Sequence, residues 1–595
     1  MGTLFGFAAL TMAVLVGIPT ALYMIGCKKP LVVLGAGGII WVVFTLITAW
    51  FWYFDLPVAG LSPTAFYTNW FTLLIALLIA TALTGTVAAF VNNNALTTNN
   101  TIAVVTLVIG LVWSFGATNL WTDDEAKTLA RSVNVKMPGE SGAYPDSDAN
   151  HIVVVPEEVA LNAARTAMNS HGANLGTVFE AANPTLQAVD GHFYYVVPLM
   201  PKGAREIDSV QGITPGYMVV DAEDASKPAT YRETDASGTP LKIRYTYRFG
   251  QGEYLLERHV WRNGYASTPL DDWTLEVNDQ WQPFWTASTN RTTVRFHKTI
   301  PDGLITVDAQ TGTIQRYEIG KLPNWIDRIY SGETAKTMLG WWGDYGMTPY
   351  PTGGFGRNTV NRFKVHGSPT LVYTKEGYPC WQVQLTSNNN DSSVAYLALF
   401  NGRDDTVRLY TIPDLQLEAG IVNAVKSVGR DNPNQLAPQH MAIHSIYGNL
   451  TWVGPLVNNG VVQGISLVPA DQKPNGSNII VRKTMGEALS AYQVMLATGT
   501  ASKPGEQSLS KVISSATVTS VSSPIVDSAG TTSIYFYIKG DAAIYRVTID
   551  PTATGSKLEA AFMRAGSVVT FSYNEIPGQI LRTVQEYDDV GLPVK

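Results

Sequence analysis

The chain has 595 residues, 46% of them hydrophobic and only 15% charged, against roughly 25% charged in an ordinary soluble protein. That balance excludes a disordered chain, and two cysteines, Cys27 and Cys380, exclude a disulfide scaffold or a cysteine-built zinc site. With 41 basic and 48 acidic residues the net charge is −7, which excludes a global attraction to nucleic acid or anionic lipid.

The deficit of charge is concentrated at the N-terminus. Residues 1–120 hold Lys28, Lys29 and Asp55 and no arginine. Four apolar stretches fill this part: Thr3–Gly26, Leu31–Phe54, Trp70–Val91 and Thr101–Leu120. Each is close to the roughly 20 residues that span a hydrocarbon core, and none alternates as a barrel strand would. A cleaved signal peptide fits the first stretch poorly, because both lysines follow it rather than precede it. By the positive-inside rule Lys28 and Lys29 put the first loop in the cytoplasm, the N-terminus outside, and the chain outside again at Trp121. Trp50, Phe51, Trp52 and Tyr53, with Trp70 across the loop, suit an interfacial aromatic belt. No Asp, Glu, His, Lys or Arg lies within the four stretches, whereas an ion or proton path would need one. Gly35, Gly37, Gly38, Thr81, Thr84, Gly85 and Thr86 suit close helix packing. The expectation is an anchoring bundle.

After a Ser/Gly/Pro-bearing stretch, strand-like runs dominate. Glu157–Met168 carries Val159, Ala160, Ala163, Ala164 and Ala167 on a helical stripe. Phe193–Val197 and Tyr217–Val220 follow as strands, closed by the turn Asp221–Asp224. A second round is Leu304–Val307, the turn Asp308–Gly312, and Ile314–Tyr317; acidic residues and glycine suit such tight turns. A third comprises Trp381–Leu385, Ala395–Phe400, the Asn401-Gly402 turn and Val407–Tyr410. Leu417–Val428 is then expected as a helix, and Ile443–Tyr447, Leu450–Val453 and Val461–Val468 as strands. Thr484 and Glu487 have capping-box spacing at the head of a helix running to about Leu496.

The order helix, strand, strand, then "VVDAEDAS" or "TVDAQTGT", resembles the PepSY-type module of extracytoplasmic bacterial proteins over 152–232 and 290–318, with a degenerate echo at 372–470. "LPNWIDRIY" and "SIYGNLTWVGPL" also resemble uncharacterised envelope proteins of bacteria and large tailed phages. The resemblance implies a location and no activity. The last part holds five strand-like runs: Ala516–Val521, Ser533–Ile538, Ala543–Ile549, Ser567–Tyr573 and Leu581–Tyr587. So many strands in so short a stretch predict a small β-barrel of OB-like kind. Tyr535, Phe536, Tyr537 and Tyr545 supply aromatics, but Lys539, Arg546, Lys557 and Arg564 make no strong basic groove, so nucleic acid is not an expected partner.

The expected fold class is therefore multidomain: a four-helix transmembrane anchor, a repeat-like α+β ectodomain and a C-terminal OB-like barrel. The expected bounds are 1–121 for the helices, 122–150 for a stalk, and 151–320 for PepSY-like units. An aromatic, Gly/Pro-rich connector (321–370), a further α+β unit (371–505) and the barrel (510–595) complete the chain.

Candidate chemistry is sparse. His440 and His444 are spaced i, i+4, but no Glu follows His440 and the segment reads as a strand, so no metal site is expected. Cys380 lies at an apolar strand start without an activating base and reads as a core thiol. Asp271-Asp272 and Asp404-Asp405 read as solvated turn acids without EF-hand spacing. The unusual stretch is Trp341-Trp342-Gly343-Asp344-Tyr345-Gly346, continuing to Gly353-Gly354-Phe355-Gly356. It lacks the context of a phosphate-binding loop. Two readings stand: tryptophans that cap the core between two units, or an exposed loop in which Trp341, Trp342, Tyr345 and Phe355 contact a partner.

No catalytic, cofactor or metal residue is expected. The leading function is a membrane-anchored extracytoplasmic binding or scaffold protein of the cell envelope. Its partners would be membrane lipid, a protein or cell-wall component outside, or a second copy. The alternatives are an envelope enzyme, such as a peptidase or wall hydrolase, and a component of a membrane channel.

Overall fold

The structure is a computed structural model. It describes the chain except residues 1, 26, 55–60, 62–69, 93–100, 102–103, 107, 111, 113–127, 171–174, 248–253, 294–297, 347–361, 388–392, 429–436, 439, 476–477, 498–509, 527–531, 550–555, 575–579 and 591–595.

The first three apolar stretches form helices α1 (Gly2–Met24), α2 (Pro30–Phe54) and α3 (Trp70–Asn92). Their apolar spans of 21, 23 and 19 residues measure roughly 28–35 Å, enough to cross a bilayer. Small residues let them approach: Gly37 of α2 lies against Thr20 of α1, and Gly85 of α3 against the Tyr23 ring. The buried hydroxyls of Thr20, Thr81 and Thr84 donate to carbonyls one turn back, at 2.6–2.8 Å, so none is stranded in apolar surroundings. Trp41 of α2 donates its indole N–H to the Ala9 carbonyl of α1 at 2.9 Å.

Among the described residues three membrane-length helices are thus present where four were expected. Of the fourth stretch, residues 101, 104–106, 108–110 and 112 are helical, with Gly110 seated on Leu74 and Leu77 of α3. The rest of that stretch lies outside the described residues.

The chain divides into two compact units, one of 1–142 with 155–411 and the other of 143–154 with 412–595. In the first unit, β1 (Asn134–Lys136) opens the β-rich part, followed by α4 (Glu157–Ser170). Strands β2 (Phe179–Ala181), β3 (Thr185–Val189), β4 (His192–Pro201), β5 (Tyr217–Asp221) and β6 (Thr230–Arg232) form an antiparallel sheet of order β2-β4-β5-β6, with β3 also on β4. Ala160, Ala164 and Met168 of α4 are buried. Next comes a four-stranded meander of β7 (Leu270–Val277), β8 (Pro283–Thr293), β9 (Lys298–Asp308) and β10 (Ile314–Glu318).

Helix α5 (Gly332–Tyr345) then precedes β11 (Phe363–Tyr373), β12 (Pro379–Ser387), β13 (Tyr396–Asn401) and β14 (Thr406–Tyr410). This meander takes β1 as a parallel edge strand on β14. Ser331 caps α5, its hydroxyl accepting from the Thr334 N–H at 3.2 Å. Ala335, Met338, Leu339 and Trp342 of α5 pack in one core with Val383, Leu385, Phe400, Val407 and Leu409.

The predicted turns are explained by local hydrogen bonds. Asp221 Oδ1 accepts from the Glu223 and Asp224 amides, and Asp308 Oδ1 from those of Gln310 and Thr311. Asn401 Oδ1 does the same for Arg403. Such bonds let a short side chain replace a backbone partner where a strand ends.

In the second unit, α6 (Glu418–Val428) accompanies a sheet of β15 (Ala437–Pro438), β16 (Ala442–Ile446), β17 (Asn449–Asn458), β18 (Val461–Pro469) and β19 (Ile480–Arg482), followed by α7 (Met485–Ala497). The capping box forms: Glu487 N–H donates to Thr484 Oγ1 at 3.3 Å, and Lys483 N–H to the Glu487 carboxylate at 3.2 Å. Residues 143–154 lie along β16. Tyr144 OH donates to the Ile443 carbonyl, Ser147 N–H to the Ser445 carbonyl, and Ser445 Oγ to Asp146.

The expectation of a free stalk at 122–150 is therefore corrected for its described part. The segment carries a sheet strand, β1, and then a strap for β16, because its backbone donors find partners in folded sheets.

The C-terminal part contains β20 (Ser510–Val521), β21 (Ile525–Val526), β22 (Thr532–Ile538), β23 (Ile544–Ile549), β24 (Val568–Asn574) and β25 (Leu581–Asp589). β20 pairs with β24 along its first half and with β22 along its second, which closes a five-stranded barrel. Within the stretch paired to β24 the register shifts between Ile513 and Ala516, and Ser515 adopts φ 56°, the kind of bulge that bends a strand around a barrel corner. Phe536, Tyr545, Phe571, Tyr573 and Tyr587 fill the interior.

Candidate functional site

Trp341, Trp342 and Tyr345 stand on helix α5, not in a loop. This corrects the reading of the stretch as a glycine-rich loop. Gly343 faces the Phe363 carbonyl at a range that leaves no room for a side chain, whereas Gly340 faces open space. The Trp342 side chain is 6% exposed and stacks on Phe363, with centroids 6.0 Å apart and planes at 18°. Trp341 packs on the same core from its edge, Tyr345 is half-buried, and Phe355 lies outside the described residues. Cys380 is buried, and burial pushes its thiol up to about 12, so it is no thiolate at neutral pH. His444 sits on β16, fully enclosed, and burial lowers it to about 4. Asp404 serves its own hairpin, accepting from Asn401 Nδ2 and the Thr406 amide.

The densest polar constellation of the first unit lies elsewhere, around residues 322–330, the "LPNWIDRIY" segment between β10 and α5. This connector has almost no regular structure, so its peptide groups need partners from outside. Arg403, at the β13–β14 turn, supplies four: its guanidinium donates to the carbonyls of Leu322 (3.0 Å), Pro323 (3.1 Å), Asn324 (3.3 Å) and Ile326 (2.6 Å). Gln187 of β3 donates to the Trp325 carbonyl at 3.2 Å and also binds both backbone groups of Val277 on β7. Ser288 of β8 donates to the Ile329 carbonyl. Trp381 of β12 donates to that of Tyr330 at 2.7 Å. The Ile329 and Tyr330 amides both reach the Gly402 carbonyl. Three sheets thus converge on one connector.

Two buried carboxyls sit at its centre. Glu276 of β7, 0% exposed, accepts from the Asp327 amide at 3.2 Å with one oxygen and from Thr286 Oγ1 at 3.1 Å with the other. Thr286 is in turn 2.7 Å from Thr274 Oγ1. Asp327, 3% exposed, accepts from Tyr373 OH at 2.5 Å and from the Ala188 amide at 3.3 Å. Burial is the main force on both, raising Glu276 to about 7 and Asp327 to about 6. The negative charge of Asp327 adds to the rise at Glu276, while Arg328 opposes it. Burial and the neighbouring Asp327 push the Tyr373 phenol well above its usual value. Arg328 donates to the Leu186 carbonyl at 3.2 Å, and acids Asp272, Glu276 and Asp327 hold its proton against the pull of burial.

Paired acids of raised pKa are what acid–base catalysis uses. Here both carboxyls are enclosed and every oxygen named above is engaged by the fold, so the arrangement can hold a proton and bind backbone. The sequence carried a faint signal of it: Asp327 and Arg328 interrupt an apolar run, and Glu276 stands between Leu275 and Val277.

Two further clusters are ordered. His192 bridges Asp221 (2.9 Å) and Glu223 (3.1 Å), and Lys227 reaches Asp221 at 2.6 Å. Burial pulls the Asp221 carboxyl up, but hydrogen bonds from Lys227 and His192 outweigh it and hold it below its usual range. At one end of the barrel Arg582 donates to Asp541 and Tyr545, both at 2.8 Å, and to Tyr573 at 3.2 Å.

No known protein family matches the sequence, and no curated protein does. Among solved structures, one similarity is to the α-L-arabinofuranosidase Arb93A from Fusarium graminearum in complex with an iminosugar inhibitor. It has 9% identity and a TM-score of 0.14, and covers 74% of this chain and 96% of that one. A likeness at that level carries no argument about fold or activity.

Proposed function

We propose that the chain is a membrane-anchored scaffold or binding protein whose β-rich units are displayed outside the cytoplasm. The observation that carries this reading is the union, in one chain, of membrane-length apolar helices with large β-rich units. A hydrogen bond supports a common side for them: the amide of Leu61, which lies between α2 and α3 in sequence, donates to the Ala266 carbonyl at 2.7 Å. On this reading Leu61 and the β-rich part of the first unit share one side of the bilayer. After α3, the chain needs one more crossing to get back there; the helical residues among 101–112, with Gly110 against Leu74 and Leu77 of α3, support a fourth span there. Lys28 and Lys29, one helix away from Leu61, fall on the opposite, cytoplasmic side.

The repeated strand endings at Asp221, Asp308 and Asn401 support PepSY-like modules as the building unit. The barrel order supports an OB-like fold. Counting its strands from β20 and omitting β21, the first pairs with the second and fourth, and the third runs parallel to the fifth. A short 3-10 helix, Ser556–Phe562, separates the third from the fourth. Sealing of the Glu276–Asp327 pair inside the fold supports binding rather than turnover. A partner would be a protein or wall component outside, or a second copy.

Crosslinking in native membranes tests the partner. Recovery of the same crosslinked species from independent preparations supports the reading, and a chain recovered only as an uncrosslinked monomer counts against it. Labelling of Cys27 tests the sidedness, since an impermeant reagent added outside intact cells should leave it unmodified.

A further inference from the structure

The connector 322–330 is gripped by partners from β3, β7, β8, β12 and the β13–β14 turn, yet its two deepest contacts run through carboxyls. Glu276 holds the Asp327 amide. Asp327 holds the Ala188 amide of β3 and the Tyr373 hydroxyl of β11. We propose that this pair is a proton-operated latch: with a proton retained on Glu276 the connector stays clamped between the three sheets, and loss of that proton loosens it.

The surroundings of the pair give the mechanism. Facing Glu276 are Asp327 and Arg328 from the connector and the hydroxyls of Thr274 and Thr286 from its own sheet. Facing Asp327 are Tyr373 from β11, Arg328 from the connector and Arg403 from the β13–β14 turn. Arg403 is committed to four carbonyls. Arg328 is shared with Asp272 at the far end of β7, and its Nε–H is buried without a hydrogen-bond partner among the described residues. One shared guanidinium therefore faces two enclosed carboxyls, which cannot both be charged cheaply.

The threonines allow the protonated state. Thr286 donates to ionised Glu276; when Glu276 carries the proton, it donates to Thr286 Oγ1, and Thr286 turns its hydroxyl to Thr274 at 2.7 Å. No heavy atom has to move. In the ionised state the second charge lies against Asp327, and separating the two means withdrawing the connector from β7. Burial, which raises Glu276 to about 7, puts this event near neutrality.

The test is hydrogen exchange of the full chain in nanodiscs from pH 5.5 to 8.5, corrected for the intrinsic pH dependence of exchange. Peptides covering 322–330 should lose protection as pH rises from 5.5 to about 7, approaching tenfold per pH unit, the slope that one released proton gives, and level off above 7, where the clamped state has released its proton as well. E276Q, whose amide can donate to Thr286 as the protonated acid does, should flatten that profile. A flat wild-type profile overturns the latch, and so does an E276Q profile that matches the wild type. D327N provides a second variant, which should also weaken the dependence by removing the opposing charge. If neither variant folds, the wild-type profile decides alone.

Discussion

Trp342→Ala separates a core tryptophan from a binding hot spot. The side chain is 6% exposed, stacks on Phe363 and belongs to the core that joins α5 to β12, β13 and β14. Truncation removes an indole from a site walled by regular elements, α5 on one side and a four-stranded meander on the other, which cannot collapse to fill it. Losses of this kind cost about 3–5 kcal/mol, and Trp342→Phe, which keeps a ring against Phe363, should cost roughly half as much. The assay is urea unfolding of the full chain in detergent, read by pulse proteolysis with cleavage mapped to 332–411. The expected result is a lower midpoint for that region, with the barrel at 510–595 unaffected. Wild-type resistance in Trp342→Ala, accompanied by loss of self-association or of a crosslinked partner, would refute the core assignment.

Three other outcomes follow from the same geometry. Arg403→Ala leaves the carbonyls of Leu322, Pro323, Asn324 and Ile326 without their donor. It should destabilise the first unit by about 3 kcal/mol, seen as faster exchange across 322–330 at every pH. His444 is lowered to about 4 by burial, below the value of an unfolded histidine, so its contribution is complete above about pH 6.5 and is lost as pH falls through 4. Exchange in β16 and β17 should therefore rise on acidification, opposite in sign to the connector, and His444→Gln should blunt the change. In the helices, Gly85→Leu would drive a side chain into the Tyr23 ring, whereas Gly35 faces open space; only the first should lower the thermal stability of the bundle in detergent.

Local signals in the sequence were readable because they are satisfied locally. The capping box at Thr484 and Glu487, the turns at Asp221, Asp308 and Asn401, and the apolar spans need only neighbours a few residues away. Barrel strands also announced themselves by alternation: Ile534, Phe536 and Ile538 point inward, and Tyr537 is 41% exposed between two of them. In sequence the tryptophan stretch leaves a core role and an exposed loop both open, because Gly343, Gly346, Gly353, Gly354 and Gly356 suggest a loop. In the fold, Gly343 is the price of close approach to the Phe363 backbone, a long-range demand that composition does not display. The strap at 143–154 was missed for a similar reason, since its partners Ile443 and Ser445 lie about three hundred residues away.

The connector shows why such a junction needs charged groups at all. Its peptide groups follow no helix or ladder, so regular structure cannot satisfy them, and leaving a buried one unpaired costs about 1–3 kcal/mol. Side chains must reach in from elsewhere, and they do so across 41 to 138 positions of sequence. An arginine meets several carbonyls at once, and a carboxyl meets several amides or hydroxyls at once, which neutral side chains of that reach do less well. The acids then bring their own difficulty, because burial raises both and their charges oppose each other. A proton resolves it. The same demand that placed Glu276 and Asp327 beneath the connector therefore makes the clamp depend on pH, and this dependence arises from backbone satisfaction rather than from any site built for a ligand.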